Sequence, residues 1–368
     1  MVLHVGGRGP GHMARLPSKR GAFSRYPLLK AAYAAGRGKI GFIGDSKTMG
    51  WLAGAGVTHN GAYVLTPAAT VISDLNAAGI TAIDGYFGAD KATGSIANWL
   101  LYDTRMSCSN TTNWSLAAQG SIDGLLATNA TDTVPITLAP GFAYDRVQAT
   151  YLRVAGNGTF TVKRGGSTII TADQNNATAD LFTQTVNVSL ASTALDVARS
   201  TGTTYPLPWV QVWNSAVQHV QVFQLGVGGR KTSDWLSNGS PWNPYPALAA
   251  MDCDCYFIEL GANDAQAGVS SATYQANLQT LITYLKGNGA DVQLVSTTRT
   301  GGGGAAYDIS SAYLTALNDL TASNSLPPLI DLYTYSSPYS AGNYVDGIHR
   351  TATYNATVGH VLSSALTS

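Results

Sequence analysis

The chain has 368 residues, 45% of them hydrophobic and 11% charged, enough apolar material for a sizeable core in one large domain or two smaller ones. No apolar run approaches the ~18 residues that span a bilayer, so a membrane-embedded chain is not expected. Lysine plus arginine (21) equals aspartate plus glutamate (21), and a molecule without net charge lacks the field that gathers nucleic acid or anionic lipid.

The neutrality is uneven along the chain. Arg8, Arg15, Lys19, Arg20, Arg25, Lys30, Arg37 and Lys39 fall in the first 39 residues with no acid among them. Residues 1–37, punctuated by glycine, read as a basic leader that is flexible or docks, more than as a nucleic-acid arm. They hold no apolar stretch of ~7–15 residues, so a secretory signal is not expected and an extracellular or virion-associated location would need another route. Next, residues 39–46 form a short apolar run ending in Gly44-Asp45-Ser46, the pattern of a buried parallel strand that delivers Ser46 at its carboxyl end. Thr66 as N-cap, Pro67 at the first position and Gly79 as stop predict a helix over 66–79, and residues 80–86 read as a second strand. This is the βαβ rhythm of a doubly wound sheet, whose ligands lie beyond the carboxyl ends of the strands.

From about 103 to 218 the rhythm changes to alternation with a period of two, at 148–154, 159–163, 185–190 and 209–213, with glycine-rich turns at 156–158 and 165–166. Many short strands separated by turns predict a β-sandwich inserted in the α/β part. Strand-like runs resume at 219–225, 255–260 and 292–296, and Leu278, Leu281, Ile282 and Leu285 lie at helical spacing between the last two. The expected organisation is therefore a leader at 1–37, a discontinuous α/β part at 38–102 and 219–368, and an insertion at 103–218. Cys108, Cys253 and Cys255 are too few for a disulfide scaffold and lack paired ligand spacing, so neither a structural metal nor a cofactor is expected.

Four strand ends carry polar or glycine-rich turns: Gly44-Asp45-Ser46, Gly226-Val227-Gly228-Gly229, Gly261-Ala262-Asn263-Asp264 and Asp346-Gly347-Ile348-His349. Each alone is an ordinary turn or helix cap. Together, in this order, they resemble the blocks of the SGNH (GDSL-type) hydrolase superfamily, over roughly residues 38–102 and 219–368. The resemblance implies a flavodoxin-like three-layer α/β sandwich with a central parallel sheet. It implies Ser46 as nucleophile, His349 as base and Asp346 as the acid of a triad, with an oxyanion hole made by the Ser46 and Gly229 N–H groups and the Asn263 amide. The residue types suit those roles: serine needs a base, histidine titrates near neutrality, a carboxylate fixes its tautomer, and a developing oxyanion needs donors already aimed at it. There are departures from the family pattern. Gln224 stands where asparagine often precedes the second-block glycine, Gly228 and Gly229 leave a one-residue ambiguity resolved in favour of Gly229, and no strong fourth block is visible.

Other polar residues have plainer readings. Lys47 is expected to be solvated rather than to touch substrate. Glu259, the only glutamate in the chain, alternates with apolar neighbours in a buried strand and suits a paired structural acid better than one with a raised pKa. His4, His12, His59, His219 and His360 read as surface or packed histidines. Trp51, Trp235, Trp242, Tyr245, Tyr333, Tyr335, Tyr339 and Tyr344 flank the blocks; about half are expected in the core, the rest free to stack on sugar rings. The polar loops argue against a lipase, and the insertion resembles the β-sandwich modules that accompany SGNH enzymes acting on polysaccharides, including phage-associated ones. The leading expectation is a serine esterase that deacetylates a glycan or cleaves another small ester. A lipase or thioesterase, an O-acyltransferase with the same triad, and a non-catalytic carbohydrate-binding virion protein stand as alternatives.

Overall fold

The computed structural model describes residues 21–51, 61–88, 95–112, 114–122, 124–129, 134–207 and 209–368; His4, His12, His59 and the first half of the leader lie outside them. Five parallel strands, β1 (Arg37–Gly44), β2 (Ala82–Ile83), β3 (His219–Gln224), β4 (Cys255–Glu259) and β5 (Asp291–Val295), lie in the spatial order β5-β4-β1-β3-β2. The register sets Phe42 of β1 between Phe257 of β4 and Gln224 of β3. Strand order reverses around β1, so the crevice at its carboxyl end opens between the ends of β3 and β4.

Both faces of the sheet are apolar. Ile40, Phe42, Val222 and Phe257 pack under α1 (Pro27–Ala34), α3 (Pro67–Ala77) and α10 (Ala352–Thr367), whereas Ile43, Phe223, Ile258 and Leu294 pack under α5 (Pro244–Met251), α7 (Ser271–Gly287) and α8 (Ser311–Ser323). The result is the expected three-layer sandwich. Shorter helices lie at the strand ends: α2 (Ser46–Met49), α4 (Ile96–Tyr102), α6 (Ala262–Gln266) and α9 (Leu332–Tyr335). Helix α3 has the predicted ends: the Thr66 hydroxyl accepts from the Ala69 N–H at 3.1 Å, Pro67 is the first residue, and Gly79 turns the chain out at φ +77°.

The alternating region folds into antiparallel sheets. One pairs Asp180–Ala191, Tyr144–Arg153, Trp209–Trp213 and Tyr86–Phe87, and a second pairs Ser167–Asp173, Thr159–Arg164, Leu195–Thr201, Ile136–Leu138 and Met106–Ser107. Their inner residues, Val147, Ala149 and Val210 from one and Leu138, Phe160, Val162 and Val197 from the other, form one apolar cluster, as in a sandwich.

Three expectations need correction. The strand expected over 80–86 is two short ones in different sheets, because the chain crosses at Asp84-Gly85 from the parallel sheet to the antiparallel one. Tyr86–Phe87 and α4, assigned above to the α/β part, therefore sit on the β side, with Phe87, Ile96 and Trp99 in its core. The second half of the leader is core structure. Phe23, Tyr26 and Leu29 are buried under β1, and the N–H groups of Leu28 and Leu29 at the start of α1 donate to Asp291. Cys108, Cys253 and Cys255 are free thiols, and burial pushes Cys253 up to about 12. Among the described residues no helix is long and apolar enough to cross a membrane, and no cluster of His, Cys, Asp or Glu could hold a metal ion.

Candidate active site

The site begins where β1 stops. A side chain on Gly44 would overlap Thr48, so only glycine lets α2 fold back onto the strand end. Asp45, extended and buried, caps α2 by accepting the Lys47 N–H at 2.8 Å, and this sets Ser46 as the first helical residue. From the other end of the chain, Asp346 folds onto its own turn: its Oδ1 accepts the N–H groups of Ile348 (3.0 Å) and His349 (2.8 Å). Gly347 makes that turn possible. Its φ is +86°, and a Cβ there would collide with the Gly301 carbonyl, whose own N–H donates to the Gly347 carbonyl at 3.0 Å.

These two turns meet. Asp346 Oδ2 lies 2.7 Å from His349 Nδ1, and His349 Nε2 lies 2.9 Å from Ser46 Oγ. An ionised carboxylate only accepts, so it takes the Nδ1 proton and leaves Nε2 as the acceptor for the Ser46 hydroxyl. Burial lowers the His349 pKa below its ordinary value; the bond and charge of Asp346 oppose this, and the cations Lys47 and Arg350 add to it. For Asp346, burial pushes the pKa up, but the hydrogen bonds from His349 and Ile348 outweigh it and hold the carboxyl below its ordinary range. At neutral pH the arrangement is carboxylate, neutral imidazole, hydroxyl, in line.

The other motif residues surround Ser46. Asn263, in α6 just past β4, points its amide at Asp45 Oδ2 (3.3 Å) and the Arg230 carbonyl (3.1 Å), and Asp264 accepts from both the N–H and the hydroxyl of Thr232. After β3, Gly226 is a packing glycine, because a Cβ there would meet the Met49 N–H and Thr48. Gly229 has φ +78° and open space where a Cβ would stand. Gln224, the departure from the family pattern, donates from Nε2 to the Thr48 carbonyl and to Tyr102 Oη, both at 3.1 Å, and so braces α2 from β3.

Two cations next to the motif residues escaped the sequence reading. Lys47, expected in solvent, is 1% exposed, with Nζ donating to Thr297 Oγ1 (2.8 Å) and the Thr298 carbonyl (3.0 Å). Burial pulls it down to about 8 against the attraction of Asp45, while burial pushes Asp45 up to about 6 against the attraction of Lys47. Arg350, also 1% exposed, donates from Nη2 to both oxygens of Glu259 (3.0 and 2.9 Å), and Thr48 Oγ1 donates to the same carboxylate at 3.1 Å. The paired role expected for Glu259 is what the structure contains. The alternation around Glu259 signalled a buried acid, whereas the partners of Lys47 lie 250 residues away with no local trace.

Trp235, Trp242, Tyr333 and Tyr344 are buried, Tyr335 is exposed, and Trp51, Tyr245 and Tyr339 are half-buried. Of these, Trp51 stands beside the site, its ring centre 6.5 Å from that of His349. His219 is buried with Nδ1 2.7 Å from the Val217 carbonyl, and His360 Nδ1 lies 2.8 Å from Asp74 on α3, both away from the Ser46 crevice.

The model of the GDSL-like lipase/acylhydrolase family matches residues 182–353, a stretch that takes in Gly229, Asn263, Asp346 and His349. The chain carries a GDSL-type hydrolase domain. The matched stretch begins inside the antiparallel region, in the strand Asp180–Ala191, and leaves out Ser46, which the fold brings beside His349. No curated protein sequence matches the chain. Among solved structures, a peptidoglycan O-acetylesterase is similar over 95% of this chain and 98% of its own, at 14% identity and a TM-score of 0.64. That likeness is one of fold, and it extends through both the α/β and the antiparallel parts. A lipase/acylhydrolase from Enterococcus faecalis (22% identity, 39% of this chain and 74% of that one, TM-score 0.33) is also similar. So is a family two carbohydrate esterase from Clostridium thermocellum in complex with cellohexaose (12% identity, 65% and 93%, TM-score 0.31). The GDSL-type domain places the chain among the ester hydrolases.

Proposed function

We propose that this esterase removes acetyl groups from a carbohydrate through a serine mechanism, with Ser46 as nucleophile, His349 as base and Asp346 as the residue that orients it. The observation that carries the reading is the hydrogen-bonded line from Asp346 through His349 to Ser46, at 2.7 and 2.9 Å, at the carboxyl end of β1. Ser46 Oγ attacks the ester carbonyl as Nε2 takes its proton. The bond to the sugar oxygen breaks as His349 returns that proton to it. Water then repeats the sequence, giving its proton to His349 and releasing acetate and free Ser46. The oxyanion of each tetrahedral intermediate is received by the Ser46 and Gly229 N–H groups and by the Asn263 amide, which exchanges its long 3.3 Å bond to Asp45 for the oxyanion, and losing one such donor costs about 10²–10³ in rate.

The substrate class rests on the surroundings. The turns bordering the triad are Gly226–Thr232, Gly301–Gly304 and Asp346–His349, which lack a run of Leu, Ile or Phe to line a fatty-acyl groove. Trp51, half-buried beside His349, offers an apolar face for a sugar ring. The similar peptidoglycan O-acetylesterase acts on a glycan acetyl ester, as its name states. A fluorophosphonate probe is expected to label Ser46, and Ser46→Ala to lose ester hydrolysis; full activity in that variant overturns the triad. Each methylene held in an apolar groove is worth about 0.8 kcal/mol, close to fourfold in rate, so a lipase gains steeply with acyl length. Here kcat/KM for p-nitrophenyl esters is expected to fall from two to eight carbons. A rise over that range, below the micelle concentration, replaces the acetyl reading with a lipase or thioesterase.

A further inference from the structure

Lys47 follows Ser46 directly, yet its side chain runs inward. Its two acceptors, Thr297 Oγ1 and the Thr298 carbonyl, stand in the segment that leaves β5. That segment continues to Gly301, whose N–H donates to the Gly347 carbonyl inside the Asp346–His349 turn. The ammonium thus joins the chain segment that presents Ser46 to the one that seats His349, by a route that does not pass through the Ser46–His349 contact itself. A second route crosses beneath it, from Thr48 through Glu259 to Arg350. A tether alone does not call for a charge, and burying an ammonium costs several kcal/mol before its partners are counted. The charged groups facing it are Asp45, Glu259, Arg350 and Asp308, and a cation at this place also disfavours a second positive charge on His349.

We propose that Lys47 is a positioning residue for the reaction: it fixes the Ser46 turn against the loop that seats His349, and its charge keeps the imidazole in the form that accepts a proton. This rests on the reading of Ser46 as nucleophile and His349 as base. Lys47, at about 8, remains charged through the range in which His349 titrates, so its influence falls on the acid limb of the pH profile. Removing the cation relieves one of the causes that lower His349, and the limb moves to higher pH.

The test compares pH profiles of kcat/KM for p-nitrophenyl acetate in the full chain. Lys47→Met is expected to lose about 10- to 100-fold, mostly in kcat, and to shift its acid limb upward by about half a unit or more. Lys47→Arg, which keeps the charge, is expected to keep the limb at its original pH. Thr297→Val removes one acceptor and leaves the charge, so it is expected to lower kcat about three- to tenfold with the limb unmoved. Should Lys47→Met fail to fold, Thr297→Val and Lys47→Arg still decide. An unmoved limb in Lys47→Met, a moved one in Lys47→Arg, or wild-type kcat in Thr297→Val overturns the proposal. Hydrolysis retained by Ser46→Ala overturns the triad and this inference together; a labelled, essential Ser46 with an unmoved limb in Lys47→Met overturns this inference alone.

Discussion

His349 ties the rate to pH. Only its neutral form accepts the Ser46 proton, and the neutral fraction rises as pH climbs through the histidine pKa. Burial, with Lys47 and Arg350, lowers that pKa against the pull of Asp346, so the acid limb of kcat/KM is expected below the ordinary histidine value of 6.5. A limb above 6.5, measured with a substrate that does not itself titrate, would show that Asp346 wins. At Gly347 the same turn is fixed by the backbone. Left-handed φ costs a substituted residue about 1–2 kcal/mol, and the collision with Gly301 adds to it. Gly347→Ala is therefore expected to lower Tm by a few degrees and kcat by 100-fold or more, since a shift of about 1 Å at His349 is enough to break its line to Ser46. Wild-type kcat in that variant would show that the turn tolerates a side chain.

Among the elements, what the sequence discloses and what it hides divide along local and distant physics. The ends of α3 were readable because Thr66, Pro67 and Gly79 act within a few residues of themselves. Three of the motif turns were readable because each follows a parallel strand, at Gly44, Gln224 and Glu259; the Asp346–His349 turn, expected at a strand end, instead stands just ahead of α10, and the fold supplies the convergence of all four. The helix at 27–34, in which Lys30 is the single charge, was hidden because two turns are too short to display a period, while Phe23, Tyr26 and Leu29 find their apolar partners in β1, β4 and the far C-terminal helix. The crossing at Asp84-Gly85 was hidden because a two-residue strand carries no periodicity to read. Arg105 holds that crossing: it is paired with Asp84 (2.7 Å) and Asp103 (2.6 Å), donates to the Asp84 and Tyr86 carbonyls, and lies over the rings of Tyr63 and Phe87. Its neighbour Tyr102 donates to the Met49 carbonyl at the end of α2, so the crossing abuts the Ser46 helix. Arg105→Met leaves two carboxylates in low dielectric without their cation, which typically costs about 3–5 kcal/mol. The urea midpoint is expected to drop accordingly, and a loss below about 1 kcal/mol would mean that water already reaches Asp84 and Asp103.

The whole molecule raises the question of whether the antiparallel region is a passenger on the hydrolase or part of its core. Its sequence, rich in Thr and Asn and free of triad residues, suggests a separable module. The packing argues otherwise. Trp209 and Ile122 of that region are fully buried in the same cluster as Phe223, Trp235 and Ile258 of the α/β part. Leu152 packs on Trp242, Arg230 donates to the Ile122 carbonyl at 2.6 Å, and Arg37 at the start of β1 bonds Gln211 and covers the ring of Trp213. Contacts of this kind resemble the inside of one domain more than the wet, polar interface between two, and an element that shares buried aromatic side chains with its neighbour does not melt alone. Replacing residues 103–218 by a short Gly/Ser linker would strip Trp209 and Ile122 from the hydrolase core, and each such loss costs about 3–5 kcal/mol where an aromatic is removed. Calorimetry of the full chain is therefore expected to give one transition, with esterase activity and the tryptophan signal lost together. Two resolved transitions, with activity surviving the first, would show that the antiparallel region folds as an independent module and that the catalytic half stands without it.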